Sequence, residues 1–340
     1  MVFAALPRHN RLAILIPALI AILLCLNTAP VIGQTASSSG TQVYPNRIIR
    51  MILPFPVGAP SDIVGRAIAQ KLAEQFGVAV VPDNRVGAGG NLGIALAAKA
   101  APDGYTIMTT SPSIALSPVL YKELGYDPQK DLAPIARLAQ IENVMLVHPS
   151  VPVKNLKQFI ELAKKQPGKL NYGSGGAGTT NHLANELLKT ISNINIVHVP
   201  YKGATVAITA LLGGEVDQVV VSVASSLPQI RSGRVRPIVV LSEKRVPSLP
   251  DVQTSTEAGI PEFKMSIWFG LLGPAKLPLE IINKLNQESM KALNSADLQQ
   301  RFAGAGVDAW GGSAAQMDQL IRSETARYTK IADKAGLKKE

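Results

Sequence analysis

The chain has 340 residues, 46% of them hydrophobic and 17% charged, a balance that excludes a disordered or fibrous protein and leaves room for about two compact lobes. Its formal net charge of +10 comes from lysines and arginines scattered along the sequence, with no basic run interleaved with aromatics, which argues against a nucleic-acid binder. The single cysteine, Cys25, excludes an internal disulfide.

At the N-terminus, Arg8 and Arg11 precede an apolar stretch from Leu12 to Leu26 that only Pro17 interrupts. This is shorter than the roughly 20 apolar residues of a membrane-spanning helix. Small and polar residues follow from Asn27 to Gly40. The layout predicts a cleaved export signal over residues 1–36, cut near Val31-Ile32-Gly33 or Thr35-Ala36, with an N-terminal membrane anchor as the alternative. Leu24 stands where a lipoprotein would carry a small residue, so Cys25 is expected to leave with the signal. Loss of Arg8 and Arg11 takes the net charge from +10 to +8 (10 − 2). The expected mature protein is basic and thiol-free, which favours anions near its surface and removes any cysteine nucleophile or thiolate metal site.

Beyond Tyr44, short apolar runs alternate with segments of helical period. Predicted strands are Ile48–Leu53, Val78–Val81, Tyr105–Thr109, Val144–Val147, Leu170–Tyr172, Ile194–Val199, Val216–Val221, Pro237–Leu241 and Ile267–Leu271. Predicted helices between them are Ile63–Phe76, Leu92–Ala100, Leu156–Lys165, Asn181–Thr190 and Ala204–Leu212. In the first, Ile63, Val64, Ala67, Ile68, Leu72 and Phe76 share one face and are expected to be buried. The alternation implies βαβ units and an α/β fold with mostly parallel sheets. Two longer amphipathic helices, Leu279–Leu293 and Ala314–Ala335, close the chain, and Ser313 with Gln316 has capping-box spacing.

Three strand-to-helix turns are crowded with small residues: 54–62, 84–91 and 172–182. Each places a backbone free of bulky side chains at a helix start, where orphan N–H groups and the helix dipole favour an anion. Ser61, Ser174, Thr179 and Thr180 can add hydroxyl donors. The competing reading is an ordinary N-cap, by Ser61 or Asp62 in the first turn and by Thr179 or Thr180 in the third. Position after a strand adds Ser111, Ser113 and Ser222 as candidates, because ligands of α/β proteins collect at strand C-terminal ends.

Enzyme readings of the same residues fail on specific grounds. Gly173–Gly178 spells G-x-G-x-x-G, but the region near its next strand, 197–202, has no carboxylate for a ribose. As a phosphate loop it lacks lysine, since Thr179 stands there. His182 and Glu186 form a one-turn pair that reads as a surface contact or cap rather than a metal site, and there is no G-x-S-x-G elbow. No catalytic constellation, cofactor or metal is expected.

The motifs Pro54–Asp62, Asp83-Asn84-Arg85 with Gly87–Asn91, Ala101–Tyr105, Tyr172-Gly173-Ser174 with Gly178-Thr179 and His182, His198–Gly203 and Leu249–Val252 resemble those of Bug-type receptors of tripartite tricarboxylate transport systems. The resemblance covers nearly all of the chain beyond the signal. It implies a type II periplasmic-binding-protein fold, two lobes with mostly parallel central sheets joined by two crossover strands. Lobe 1 would comprise 43–143 and 260–340, lobe 2 144–259. It also implies a periplasmic monomer that captures a small organic carboxylate and delivers it to integral-membrane permease subunits. Carried onto this chain, ligand contacts fall on Phe55, Val57, Gly58, Ala59, Ser61 and Asp62 in one lobe. In the other they fall on Ser174, Gly178, Thr179, Thr180 and His182. A Rossmann-like nucleotide enzyme and a sensor for a signalling partner are the alternatives. Two departures stand out: the first turn reads Gly58-Ala59-Pro60 where the family usually has a glycine pair, and Val86 replaces a usual proline. Proline has no N–H, so Pro60 removes a possible donor.

Overall fold

Residues 44–176, 179–337 and 339 are described by the computed structural model of the chain. The expected export signal and Gly178 lie outside them. The run Ile49–Leu53 (β1) is buried at four of its five positions, as a strand covered on both faces must be. It pairs in parallel with Val80–Asn84 (β2) and Thr106–Thr110 (β3). The helices Pro60–Phe76 (α1) and Asn91–Ala98 (α2) make the crossovers, and Ser113–Leu120 (α3) follows β3.

A second parallel trio repeats this order. Asn171–Ser174 (β5) lies between Val197–Pro200 (β6) and Gln218–Ser222 (β7). Helices Thr180–Ser192 (α5) and Ala204–Leu212 (α6) cross over, Leu156–Lys165 (α4) precedes the trio, and Val223–Arg231 (α7) follows it. The arrangement repeats although no repeat is visible in the sequence.

The trios are joined by Leu132–Val147 (β4) and Ser266–Pro274 (β9), which run antiparallel to each other and to their neighbours. The strand order is β2-β1-β3-β9-β4-β7-β5-β6. Arg236–Val240 (β8) and Asp308–Gly312 (β10) also pair with β4. β4 pairs with β9 up to Glu142, then with β7 from Asn143. At this change of partner the fully buried Asn143 donates its amide to the Met265 carbonyl at 2.8 Å, tying the two crossing segments together. Leu279–Leu293 (α8) and Ala296–Gly304 (α9) cover the first trio's side. Ala314–Ala335 (α10) packs on α3, α5 and β4, and its expected Ser313–Gln316 capping box is present.

The departures from sequence expectation have local causes. Helix α1 starts three residues early, because Pro60 occupies N1, where its missing N–H costs nothing. Its Ile63 and Phe76 are half-buried, while Ser61 and Asp62 are buried instead. Helices α3 and α7 carry Pro118 and Pro228, which read as breakers. Only the last four residues of β4 are expected as strand. Pro134 disguises the rest, and it sits at a register shift where its missing N–H is tolerated. The short α9 and the exposed β10 have too little apolar periodicity to stand out in the sequence.

Candidate functional site

Strand registers place the expected turns. Leu53 of β1 lies level with the end of β3, and β3 points toward the Ser266 end of β9, hence toward Glu142. β7 runs the other way and ends with Ser222 opposite Asn143, with β5 parallel beside it. The C-terminal ends of both trios therefore point at the β4 junction from opposite sides. Residues 54–59, Ser111 and Ser113 sit at the ends of the first trio. Ser174, Thr179, Thr180 and Ser222 sit at the ends of the second.

The first turn is held by an ionic latch. Asp62 is 2% exposed, and its Oδ2 accepts the Gly58 N–H at 3.0 Å. Its carboxylate also accepts from Arg66 Nε at 2.9 and 3.0 Å and from Asn84 Nδ2 at 2.8 Å. Asn84 donates to the Phe55 carbonyl at 2.8 Å and accepts from the Arg66 guanidinium at 2.6 Å. Burial alone would raise the Asp62 pKa, but the Arg66, Asn84 and Gly58 contacts outweigh it and hold the group below the usual carboxylate range. Asp62 is thus not an N-cap: Ala59 occupies that position with no side-chain bond, which overturns the cap reading of both Asp62 and Ser61. Gly58 has φ +82°, a conformation that favours glycine, and Val57 is 73% exposed beside it. The second glycine cluster supports the first: Gly90 passes so close to Phe55 that a Cβ there would lie 3.1 Å from the ring. Arg85 pairs with Asp83 at 3.0 Å, a structural bond.

The third turn is held without net charge. Thr179 is the N-cap of α5: its Oγ1 accepts the His182 N–H at 3.4 Å and donates to the Gly176 carbonyl at 2.8 Å. Ser174 is 1% exposed and its Oγ lies 2.6 Å from His198 Nε2. His198 stacks against both Tyr172 (4.8 Å, 15°) and His182 (4.1 Å, 16°), whose own ring centroids are 6.4 Å apart. The Tyr172 hydroxyl donates to Glu186 at 2.6 Å, and Lys189 Nζ donates to the same carboxylate at 2.7 Å. His182 and Glu186 are therefore buried, 3.9 Å apart, which corrects their reading as a surface pair or cap. Burial, with His198 alongside, pulls the His182 imidazole down to about 4. Gly173 lies inside β5, where a Cβ would press on Val219, Val216 and Ala207 at 3.2–3.4 Å. Packing by β7 and α6 accounts for this glycine without any nucleotide.

The remaining candidates are partly committed. The Ser111 hydroxyl is 3.2 Å from that of Ser113, and Ser222 caps α7 while donating to Ser225 at 2.7 Å. Arg66 carries no signal in the sequence, and Asn84, Tyr172 and His198 stand there only as motif members, with nothing to mark their bracing contacts. His198 faces Tyr172 only through the β5–β6 register, so no local pattern marks it. Among the described residues no cluster of three His, Cys, Asp or Glu side chains could hold a metal, and no helix is long and apolar enough to cross a membrane. A cavity of about 900 Å³ is lined by residues near the β4 junction, Glu142, Trp268, Asp308 and Arg327 among them, and by none of the expected site residues. Burial, with Asp308 and Glu243 near, pushes the Glu142 carboxyl up to about 7.

Known proteins share both sequence and fold. Residues 64–337 match the model of the tripartite tricarboxylate transporter family receptor. Protein BugT of Bordetella pertussis is 33% identical over 305 residues, 89% of this chain and 94% of its own length. The Rpa4515 protein of R. palustris, solved with adipate, is 34% identical with a TM-score of 0.76, covering 87% of this chain and all of the other. MatC of Rhodopseudomonas palustris, solved with bound malate, is 30% identical with a TM-score of 0.71, covering 85% of this chain and 99% of its own. The periplasmic binding protein BugD aligns with a TM-score of 0.73 at 31% identity, covering 87% of this chain and 100% of its own. The fold is thus that of a periplasmic binding protein, as the sequence resemblance implied. The chain belongs to the tripartite tricarboxylate transporter receptor family.

Proposed function

We propose that this protein is a periplasmic, non-enzymatic receptor that captures a small organic carboxylate between the turns 54–62 and 172–182 and passes it to integral-membrane permease subunits. In this reading residues 43–143 with 260–340 form one lobe and 144–259 the other. The crossing segments at Glu142–Asn143 and Met265–Ser266 act as the hinge, and α10 bridges both lobes. The observation that carries the proposal is that both parallel trios end in glycine-rich turns pointing at one junction. Relatives of the same fold, at 34% and 30% identity, were solved with adipate and malate, both dicarboxylates.

The chemistry follows from the donors. An anion entering the open cleft meets the Gly58 side of one turn and the α5 N-terminus of the other. Closure removes water and lowers the local dielectric, so each N–H and hydroxyl bond to the carboxylate strengthens. The first turn's carboxylate, Asp62, is already saturated by Arg66, Asn84 and Gly58, so it neither repels the ligand strongly nor binds it directly. Pro60 has no N–H to offer at N1, and the Gly58 and Ala59 N–H groups are engaged by Asp62 and the Pro56 carbonyl, which leaves the Ser61 N–H as the first turn's backbone donor.

The test is calorimetric titration with mono-, di- and tricarboxylates, aromatic acids, acidic amino acids and nucleotides. A carboxylate is expected to bind and nucleotides are not. Binding should weaken about tenfold in Thr180→Val or Gly58→Ala, from loss of a hydrogen bond to a charged group or of the turn's shape. Nucleotide binding without carboxylate binding would end the proposal.

A further inference from the structure

The Ser174 hydroxyl, expected to reach a ligand, is 1% exposed and committed within the protein. It lies 2.6 Å from His198 Nε2, accepts the Gly176 N–H at 3.1 Å and stands 3.2 Å from the Gly176 carbonyl. That carbonyl already accepts from the Thr179 hydroxyl at 2.8 Å and the Thr179 N–H at 3.3 Å. The shortest and least contested path for the Ser174 proton is toward His198. His198 is held in place by its stacking against two rings, Tyr172 and His182. A line of contacts therefore runs from α5, through Glu186 and the stacked rings, to the bend at Gly176.

Resting on the carboxylate reading above, we propose that His198 is the positioning residue of this turn and couples its protonation to anion binding. Neutral, His198 accepts the Ser174 proton at Nε2, and the Ser174 oxygen then holds the Gly176 N–H and with it the approach to the Thr179 cap. Protonated, Nε2–H donates to the same oxygen, the Ser174 proton turns away from the ring, and one positive charge stands beside the turn. One proton comes from solvent and none is lost. Because a bound carboxylate is stabilised by that charge, binding takes up protons, and by linkage affinity rises as pH falls through the titration of His198. The groups facing the imidazole are Ser174 and Tyr172 on β5 and His182, Glu186 and Lys189 on α5. Burial lowers the His198 pKa most, Glu186 opposes the shift and Lys189 adds to it, so the effect falls below the ordinary imidazole pKa of about 6.5.

Two measurements decide the matter. In the ligand-free protein, ring-nitrogen NMR at pH 7.5 should find His198 Nε2 unprotonated and hydrogen-bonded, with its resonance moving in Ser174→Ala. A protonated Nε2 in the neutral ring overturns the proposal without any ligand. With adipate as the probe, wild-type affinity is expected to rise about threefold more than that of His198→Gln between pH 7.5 and 5.5. Glutamine keeps a hydrogen-bonding group near the Nε2 position but does not titrate, and the difference between the two proteins cancels the ionisation of adipate itself. His198→Gln should bind nearly as wild type does at pH 7.5, whereas His198→Ala and Ser174→Ala should each weaken binding about tenfold, the double variant no further. Equal pH profiles for wild type and His198→Gln overturn the coupling. If the site lay elsewhere, Thr180→Val and Gly58→Ala would bind adipate as wild type does. If only the role of His198 were wrong, those two would still be weakened.

Discussion

The two glycine-rich turns end equivalent strands of repeated trios, yet they are held by opposite chemistry. The first is fastened by a buried carboxylate with a guanidinium, a side-chain amide and a backbone N–H around it. The second is fastened by a hydroxyl, two imidazoles and a phenol, with the Glu186 charge neutralised one layer back by Lys189. The difference teaches that the backbone geometry of an anion-facing turn does not dictate how it is braced. It also gives the two turns different sensitivities to acid: a saturated carboxylate resists protonation, whereas a stack of neutral imidazoles does not.

The largest expected effect breaks the first brace. Asp62→Ala removes the carboxylate that Arg66, Asn84 and the Gly58 N–H share and should cost about 3 kcal/mol of stability, less than a fully buried pair because Arg66 reaches solvent and Arg66 and Asn84 each keep one other acceptor. Urea unfolding reads this, and a loss under 1 kcal/mol would refute the latch. The next sharpens the contrast in acid. The pKa of His182 is lower in the folded state than the unfolded value near 6.5, so the unfolded chain binds protons first. Its contribution is complete above pH 6.5 and fades as pH falls toward about 4, by roughly 2 kcal/mol. The pKa of Asp62 is also depressed, from an unfolded value near 3.9, so the first latch fades only below that. Thermal melts from pH 7.5 to 4 should therefore show a decline that the double variant His182→Gln/His198→Gln lacks.

A smaller effect is expected from Thr179→Ala, which removes the α5 cap and should cost about 1 kcal/mol, read by urea unfolding. The smallest tests the departure in the first turn. Pro60→Ala restores an N–H at the α1 start with a stability change of roughly 0.5 kcal/mol or less, while shifting preference within a carboxylate panel. An unchanged preference order would mean that the α1 N-terminus takes no part in recognition.

Local sequence was informative wherever a segment's own pattern sufficed. Helices Leu156–Lys165, Ala204–Leu212, Leu279–Leu293 and Ala314–Ala335 have the bounds expected from periodicity and caps. The three turns were visible because glycine and small residues cluster only where backbone must bend or be approached. Less legible was the bracing. Asp62 and Ser61 looked like caps because cap preference is a local rule, and Pro60 shifted the helix start past them.

What the sequence by itself determined is the alternation of strand and helix, the three small-residue turns and the family, all properties of residues near one another along the chain. Tertiary structure alone decided that β4 is strand from Leu132 to Asn143, that Asn143 ties the two crossing segments, and that His198 stacks against Tyr172 and His182. Those contacts join residues up to 142 positions apart, as in the Leu132–Pro274 pair (274 − 132). They depend on strand register, in which a slip of one residue would turn each side chain to the other face.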